Sequence, residues 1–365
     1  MSEAGDVIAV GAQAGIPTLV WGAPGVGKTS YVNALAAALG VPCETVIASI
    51  REPSDFSGLP VIADGGVRFA PPAWAVRLAA AGKGLVFFDE ISTAAPAVQA
   101  GLLRVILDRV VGDLALPPGV HMLGAANPPE QAAGGWDLSA PLANRFCHVT
   151  WNLAADVWVD GMLQGWPVPT VRRVPETWEL GVPQERGLVA SFVRVRPTHL
   201  LAVPKDVSEA GRAWPSPRTW DMAARLAAAC GAAGVSGEVT MLGVAGCVGA
   251  GAATEFFAWR RDLDLPDPEA LLAEPTKFKL PKRGDQQFAV LASVAAAAGR
   301  QLTPERWLAA WTIMARGAEQ GAKDVAAAAV RALAKAAEQR SDLALPKEQL
   351  KPFLPLLRAV GALGG

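Results

Sequence analysis

The stretch IPTLVWGAPGVGKTS, Ile16 to Ser30, decides how the rest of the chain is read. Ile16 to Gly22 is a short apolar run of the kind that forms a buried strand. SYVNALAAALG follows with helical spacing and stops at Gly40, a residue suited to a helix end. Between them GAPGVGKT, Gly22 to Thr29, fits the pattern G-x-x-x-x-G-K-[ST] in full. The pattern has a physical basis. Glycines let a backbone fold around a phosphate with its N–H groups pointing inward, and the helix that opens there adds a positive dipole. The residues expected to form this cradle are Gly22, Ala23, Pro24, Gly25, Val26, Gly27, Lys28, Thr29 and Ser30.

Four more strands are expected downstream: ETVIASI (Glu44 to Ile50), GLVFFDE (Gly84 to Glu90), VHMLGAAN (Val120 to Asn127) and FCHVTW (Phe146 to Trp151). Near-continuous apolar strands separated by helices argue for a parallel sheet covered on both faces. The fold class expected is therefore α/β, a P-loop NTPase sheet followed by an all-α lid and C-terminal helical region. LVFFDE delivers two carboxylates at the carboxyl end of its strand, where ligands bind in an open parallel sheet. The expected cofactors are ATP and Mg²⁺. Lys28 is placed to reach the β- and γ-phosphates, and Thr29 and Asp89 to hold the metal, Asp89 through water. Glu90 is expected to polarise the attacking water, which makes the reaction hydrolysis rather than transfer to a bound acceptor.

Two insertions break the rhythm. GLPVIADGGVRFAPP reads as a hairpin turning at Asp64-Gly65-Gly66, and DRVVGDLALPPG as another turning at Gly112-Asp113. Both exceed a minimal connection, which points to function on those loops. From about Asp156 the pattern changes to dense Trp and Pro, then to Ala-rich helices. Helices are expected over Ser216–Gly231, Val235–Leu263, Phe288–Gly299, Pro304–Ala318 and Lys323–Gln339, with a final one from Lys347. The expected domains are residues 1–151, the nucleotide-binding core with hairpins at about 59–72 and 108–119; 152–264, a linker and helical lid; and 265–365, a C-terminal helical region.

The 365 residues are 51% hydrophobic and 18% charged, so sizeable cores can be buried and a disordered chain is excluded. The formal net charge of −1 gives no evident basic surface for nucleic acid. Cys43, Cys147, Cys230 and Cys247 are far apart and form no CxxC pair, so they read as small core residues in a reducing cytosol. No basic n-region opens the chain, and VTMLGVAGCVGAGAAT (Val239 to Thr254) is too short to span a membrane. A cytoplasmic location is expected.

The P-loop and the Asp89-Glu90 pair together resemble the AAA+ ATPases. In that family Asn127, ending its strand, has the place of sensor 1, and Arg218, opening a helix in WPSPRTW, that of sensor 2. The two hairpins are similar to the helix-2 insert and the pre-sensor-1 hairpin, which narrows the resemblance to the MoxR-like group with its relatives CbbQ, NorQ and GvpN, and to dynein-like and McrB-like proteins. REPSDFSGLPV resembles the D-L-x-G stretch of that group, with Phe56 and Ser57 in place of its usual residues. The resemblance covers about residues 5–150 and, more loosely, 206–260.

SAPLANRF, Ser139 to Phe146, is similar to the closing L-D-R-F of the same group. The resemblance makes Arg145 an arginine finger that acts on the γ-phosphate of an adjacent subunit, with Arg104 and Arg109 as alternatives. It implies a ring, a hexamer by analogy, working on a protein client such as a von Willebrand A domain protein. Two other functions are compatible with the same core. One is a nucleic-acid translocase or restriction-type motor using Arg68, Lys83, Arg172 and Arg173 as a basic track, disfavoured by the acidic hairpin tips. The other is a nucleotide-gated scaffold, disfavoured by the complete catalytic set. The wall for the base is expected at Asp6 to Gly15.

Overall fold

The computed structural model of the chain describes residues 2–63, 65–128, 136–337, 340 and 342–353. The chain forms two compact units, Met1–Pro175 with Leu200–Thr254, and Glu176–His199 with Glu255–Gly365. The region expected as one lid, 152–264, is thus divided between them.

In the first unit α1 (Glu3–Gln13) leads into β1 (Thr18–Trp21), and α2 (Lys28–Leu39) into β2 (Cys43–Ile47). After α3 (Ser54–Ser57) come the hairpin strands β3 (Leu59–Ala63) and β4 (Gly66–Ala70), then α4 (Ala73–Ala81), β5 (Lys83–Asp89) and α5 (Pro96–Asp108). A second hairpin, β6 (Val110–Val111) and β7 (Leu114–Ala115), precedes β8 (Gly119–Ala126). Next, α6 (Ala140–Ala143) precedes β9 (Cys147–Thr150). All five expected strands pair in one parallel sheet, in the order β2-β5-β8-β1-β9. The chain leaves β1 toward β2 on one side and reaches β9 on the other, so the carboxyl end of β1 is a topological switch point, where such sheets bind ligands. Leu19, Val86, Phe87, Phe88 and Leu123 are fully buried, as double-faced cover requires.

One strand is shorter than its sequence pattern. β2 stops at Ile47, and Ala48–Ile50 curl into a 3-10 turn. β2 is an edge strand paired only with β5, and Ile47 already opposes Asp89, the last residue of β5. Beyond it no partner continues the ladder.

The tip of the second hairpin is joined to the base of the first. The Asp113 carboxylate accepts the Phe69 N–H at 2.8 Å, and the Asp113 N–H donates to the Phe69 carbonyl at 2.9 Å. The expected acidic tip at Gly112-Asp113 is therefore a socket for β4, with its charge spent on a backbone donor. Asp64, at the other tip, lies outside the described residues. β3 and β4 present apolar side chains to solvent, Ile62 at 91% exposure and Val67 at 63%.

After α7 (Ala155–Gln164), α8 (Val182–Val195) belongs to the second unit, and α9 (Val207–Ala210), α10 (Pro217–Ala233) and α11 (Gly237–Val248) to the first. The single helix expected over Val235–Leu263 is broken. α11 ends at Gly249, and α12 (Ala250–Arg261) starts anew and carries the boundary between units. Gly249 has φ 84°, and a Cβ there would meet the Ala213 carbonyl oxygen at 2.9 Å, so only glycine fits the break. Among the described residues no helix is long and apolar enough to cross a membrane.

The second unit packs α8 with α13 (Pro268–Ala273), α14 (Gly284–Arg300), α15 (Pro304–Glu319), α16 (Lys323–Ala336) and α17 (Lys347–Leu350). Its core holds Phe278, Leu291, Trp307, Trp311 and Met314. Gly187 of α8 lets Ala292 approach so closely that an added Cβ would lie 2.5 Å from its methyl. Arg260 and Glu185 join α12 to α8 through two bonds of 2.8 and 3.0 Å.

Candidate active site

Four loops meet at the carboxyl edge of the sheet. Gly22 follows β1, Asp89 ends β5, Asn127 follows β8 and Trp151 follows β9. The turn between β1 and α2 needs glycine at Gly25 (φ 80°) and Gly27 (φ 86°), both in the left-handed region. Lys28, the first residue of α2, is buried at 8% exposure. Its ammonium donates to the Gly22 carbonyl at 2.6 Å, the Ala23 carbonyl at 3.0 Å and the Asn127 side-chain oxygen at 2.9 Å. Burial pushes its pKa down, opposed by the carboxylates of Asp89 and Glu90. The two carboxylates help keep the buried ammonium charged, and its hydrogen-bond partners are neutral oxygens that an anion can displace.

The Thr29 hydroxyl donates to the Asp89 carboxylate at 2.7 Å. A hydroxyl and a carboxylate side by side at the mouth of the cradle form a hard-oxygen donor set that suits Mg²⁺. The other Asp89 oxygen accepts the Glu90 N–H at 2.9 Å. Glu90 lies at φ 57°, an uncommon backbone conformation for a non-glycine residue, which turns its side chain out of the line of β5. Its carboxylate accepts a hydrogen bond from the Ser49 hydroxyl. Ser49 sits in the 3-10 turn that replaces the end of β2, so the shortening of that strand delivers it. Ser92 anchors Asn127: its hydroxyl accepts the Asn127 N–H at 3.0 Å and lies 3.3 Å from the Asn127 carbonyl oxygen.

Thus Lys28, Thr29, Asp89, Glu90 and Asn127 share one constellation. Ser49 and Ser92 join it without any sequence signal beyond being polar residues near strand ends.

Arg145 and Arg218 lie elsewhere. Arg145 precedes β9 by two residues, at the amino end of a strand whose carboxyl end meets the cradle. Cys147 to Thr150 alone is three steps of about 3.3 Å, and Arg145 lies further back still. The guanidinium donates to the Pro141 carbonyl, and its Nε is buried without a hydrogen-bond partner. Burial lowers its pKa, as does the nearby Arg218, against a weaker pull from Asp108. Among the described residues no carboxylate forms an ion pair with it. Arg218, second residue of α10, donates to the Asn144 side-chain oxygen at 3.4 Å, and the Ser216 hydroxyl donates to the same oxygen at 2.8 Å. The two arginines are therefore neighbours of each other.

Arg109, Arg172 and Arg173 are otherwise engaged. Arg109 is half-buried and donates to the carbonyls of Pro117, Pro118 and Val120, which closes the second hairpin. Arg172 bonds to Gly234 and Arg173 to Ala38, both at carbonyls ending helices. Arg104 is exposed on α5. Val7 to Ala12, within the stretch expected to wall the base, are buried.

No curated protein matches the chain. A crystal structure of a "putative ATPase" from Cytophaga hutchinsonii is similar over 67% of this chain and 83% of its own, with 17% identity and a TM-score of 0.43. Residues 17–146, which hold β1 through Phe146 and all five members of the constellation, match the family described as AAA domain (dynein-related subfamily), so the segment that builds this site is similar to the AAA ATPases.

Proposed function

We propose that this chain is an ATP-hydrolysing AAA+ ring protein of the MoxR-like kind, which remodels or activates a protein partner. The observation that carries the reading is the separation of its charged groups. The cradle, Lys28, Asp89, Glu90 and Asn127 lie at the carboxyl edge of the sheet, while Arg145, at the amino end of β9, has no carboxylate partner among the described residues. An arginine desolvated without an anion is costly unless an anion arrives. A second copy of the chain supplies one in the phosphates of its own cradle, and closing such head-to-tail contacts makes a ring, six-membered by analogy with the family.

In this reading Lys28 leaves the carbonyls of Gly22 and Ala23 for the phosphates, and the cradle N–H groups hold their oxygens. Thr29 and Asp89 would hold Mg²⁺, which when bound neutralises phosphate charge. Glu90 leaves the Ser49 hydroxyl, takes a proton from water and so directs it at the γ-phosphorus, giving ADP and phosphate. Asn127 orients that water. Arg145, with Arg218 beside it, stabilises the developing charge on the neighbour's phosphate.

The exposed apolar strands β3 and β4 favour a protein client over nucleic acid, since phosphates are met by free cations. Arg172 and Arg173, spent on carbonyls, do not offer a basic track. A von Willebrand A domain protein is the proposed client, and the cytoplasm the proposed location. The test is turnover by the purified protein with and without Mg²⁺. Glu90→Gln should bind ATP with near wild-type affinity and lose at least a hundredfold in kcat. Unchanged turnover in that variant would refute the assignment. The trapped variant is also the reagent for identifying the client.

A further inference from the structure

Trp151 follows β9 and makes four contacts to the cradle and the residues flanking it. Its backbone N–H donates to the Trp21 carbonyl at 2.6 Å. Its own carbonyl oxygen lies 2.6 Å from where a Cβ on Gly22 would fall. Its ring packs on Tyr31 of α2 with centroids 4.3 Å apart, and the Tyr31 hydroxyl is fixed to the Gly5 carbonyl at 2.8 Å. Its indole N–H donates to the Val26 carbonyl at 3.1 Å.

The last bond bears on ligand binding. In a planar trans peptide the C=O and the next N–H point to opposite sides. Holding the Val26 carbonyl outward toward the indole therefore turns the Gly27 N–H the other way, toward the interior of the cradle. Glycine at 25 and 27 leaves the backbone on either side of Val26 free to take many orientations, so a hydrogen bond to the Val26 carbonyl bears directly on which one is adopted.

We propose that Trp151 is a positioning residue for the phosphate cradle, one that holds the Val26–Gly27 peptide with its N–H directed at the bound phosphate. This rests on the nucleotide-binding reading above. The ligand is the diphosphate or triphosphate portion of a nucleotide, and the residue acts through Gly27 without touching it.

The experiment compares Trp151→Phe, which keeps a ring on Tyr31 but loses the N–H, with wild type, using a fluorescent ADP analogue for Kd and steady-state ATP turnover for KM and kcat. Loss of one orienting hydrogen bond should weaken Kd by about fivefold. KM should rise in step, kcat should move less than KM, and the melting temperature should stay within a degree or two. Trp151→Ala should show the same loss of affinity or more, with a lower melting temperature. Unchanged Kd in both variants overturns the proposal. So does a Phe variant that loses Kd, kcat and melting temperature together, since that marks a merely structural ring. If wild type binds no nucleotide while remaining folded, the parent reading fails instead, and the two failures are told apart by that control.

Discussion

Arg145 provides the sharpest test of whether this chain works alone. Its backbone lies at the opposite end of β9 from the cradle, so in a single chain it does not serve the site formed by Lys28 and Asp89. Arg145→Ala should therefore leave nucleotide binding intact while kcat falls by about 10³–10⁵, the effect of removing an arginine from developing phosphate charge. Lys28→Ala should fail to bind. Equal mixtures then give a number. Half of the sites carry an intact cradle, and half of those face a neighbour with an intact arginine, so about one interface in four regains both groups. The mixture should recover about a quarter of wild-type turnover, against less than about a thousandth for each variant alone. Subunit exchange is verified by native mass spectrometry, and phosphate release is followed with a coupled assay. If hybrid rings form and the mixture is no more active than its parts, action across the interface is refuted, and Arg104, exposed on α5, becomes the next arginine to replace.

Two further outcomes are expected. His148 is locked as a neutral ring: the Trp21 indole donates to its Nδ1 at 2.9 Å, and its Nε2 lies 2.9 Å from the Ala143 carbonyl. Burial, with Arg212 adding repulsion, pushes its pKa down to about 4. The unfolded chain, titrating near 6.5, binds the proton more readily, so stability is full above that pH and falls as pH drops toward 4, by at most about 3 kcal/mol. Urea unfolding between pH 7.5 and 4.5 should show this slope, and His148→Gln should lose it. Gly112→Ala should displace the first hairpin. The position has φ 60°, and the new methyl would stand 2.4 Å from the Phe69 carbonyl oxygen. A cost of at least about 1 kcal/mol is expected. Amide exchange should speed up in β3 and β4 while β1 and β8 stay protected; equal protection in all four strands would show that the hairpins are not stitched as described.

Some of this was legible in the chain and some was not, for reasons of range. The sheet could be read because each buried strand is a short apolar run and each connection carries its own turn residues. The cradle could be read because all its parts are consecutive, from Gly22 to Thr29. Ser49 was hidden. It lies inside an apolar run that extends the strand pattern to Ile50, and only the pairing of Ile47 with Asp89 shows that the ladder stops before it and leaves it facing Glu90. The break at Gly249 was hidden in a Gly/Ala-rich stretch, since the contact that demands it comes from Ala213, distant in sequence. The same holds for α8. Its burial partner α14 lies about a hundred residues later, so chain order alone assigns it to the wrong unit.

β9 draws these observations together. It has only four residues, and both ends are tied to β1: the Cys147 N–H donates to the Pro17 carbonyl at 2.8 Å and the Trp151 N–H to the Trp21 carbonyl. Strand pairing makes the two move as one body, because sliding either would break every bond of the ladder at once. Arg145 stands just before the amino end of this body, and Gly22 and Trp151 stand at its carboxyl end. In the proposed ring, a phosphate that draws Arg145 toward the neighbour pulls on the same rigid element that holds the Val26 carbonyl. That hold is a single neutral hydrogen bond between a ring and a glycine-rich loop. In such a ring a conformational signal from one site to the next would have a short physical route, from Arg145 along β9 and Trp151 to the peptide between Val26 and Gly27.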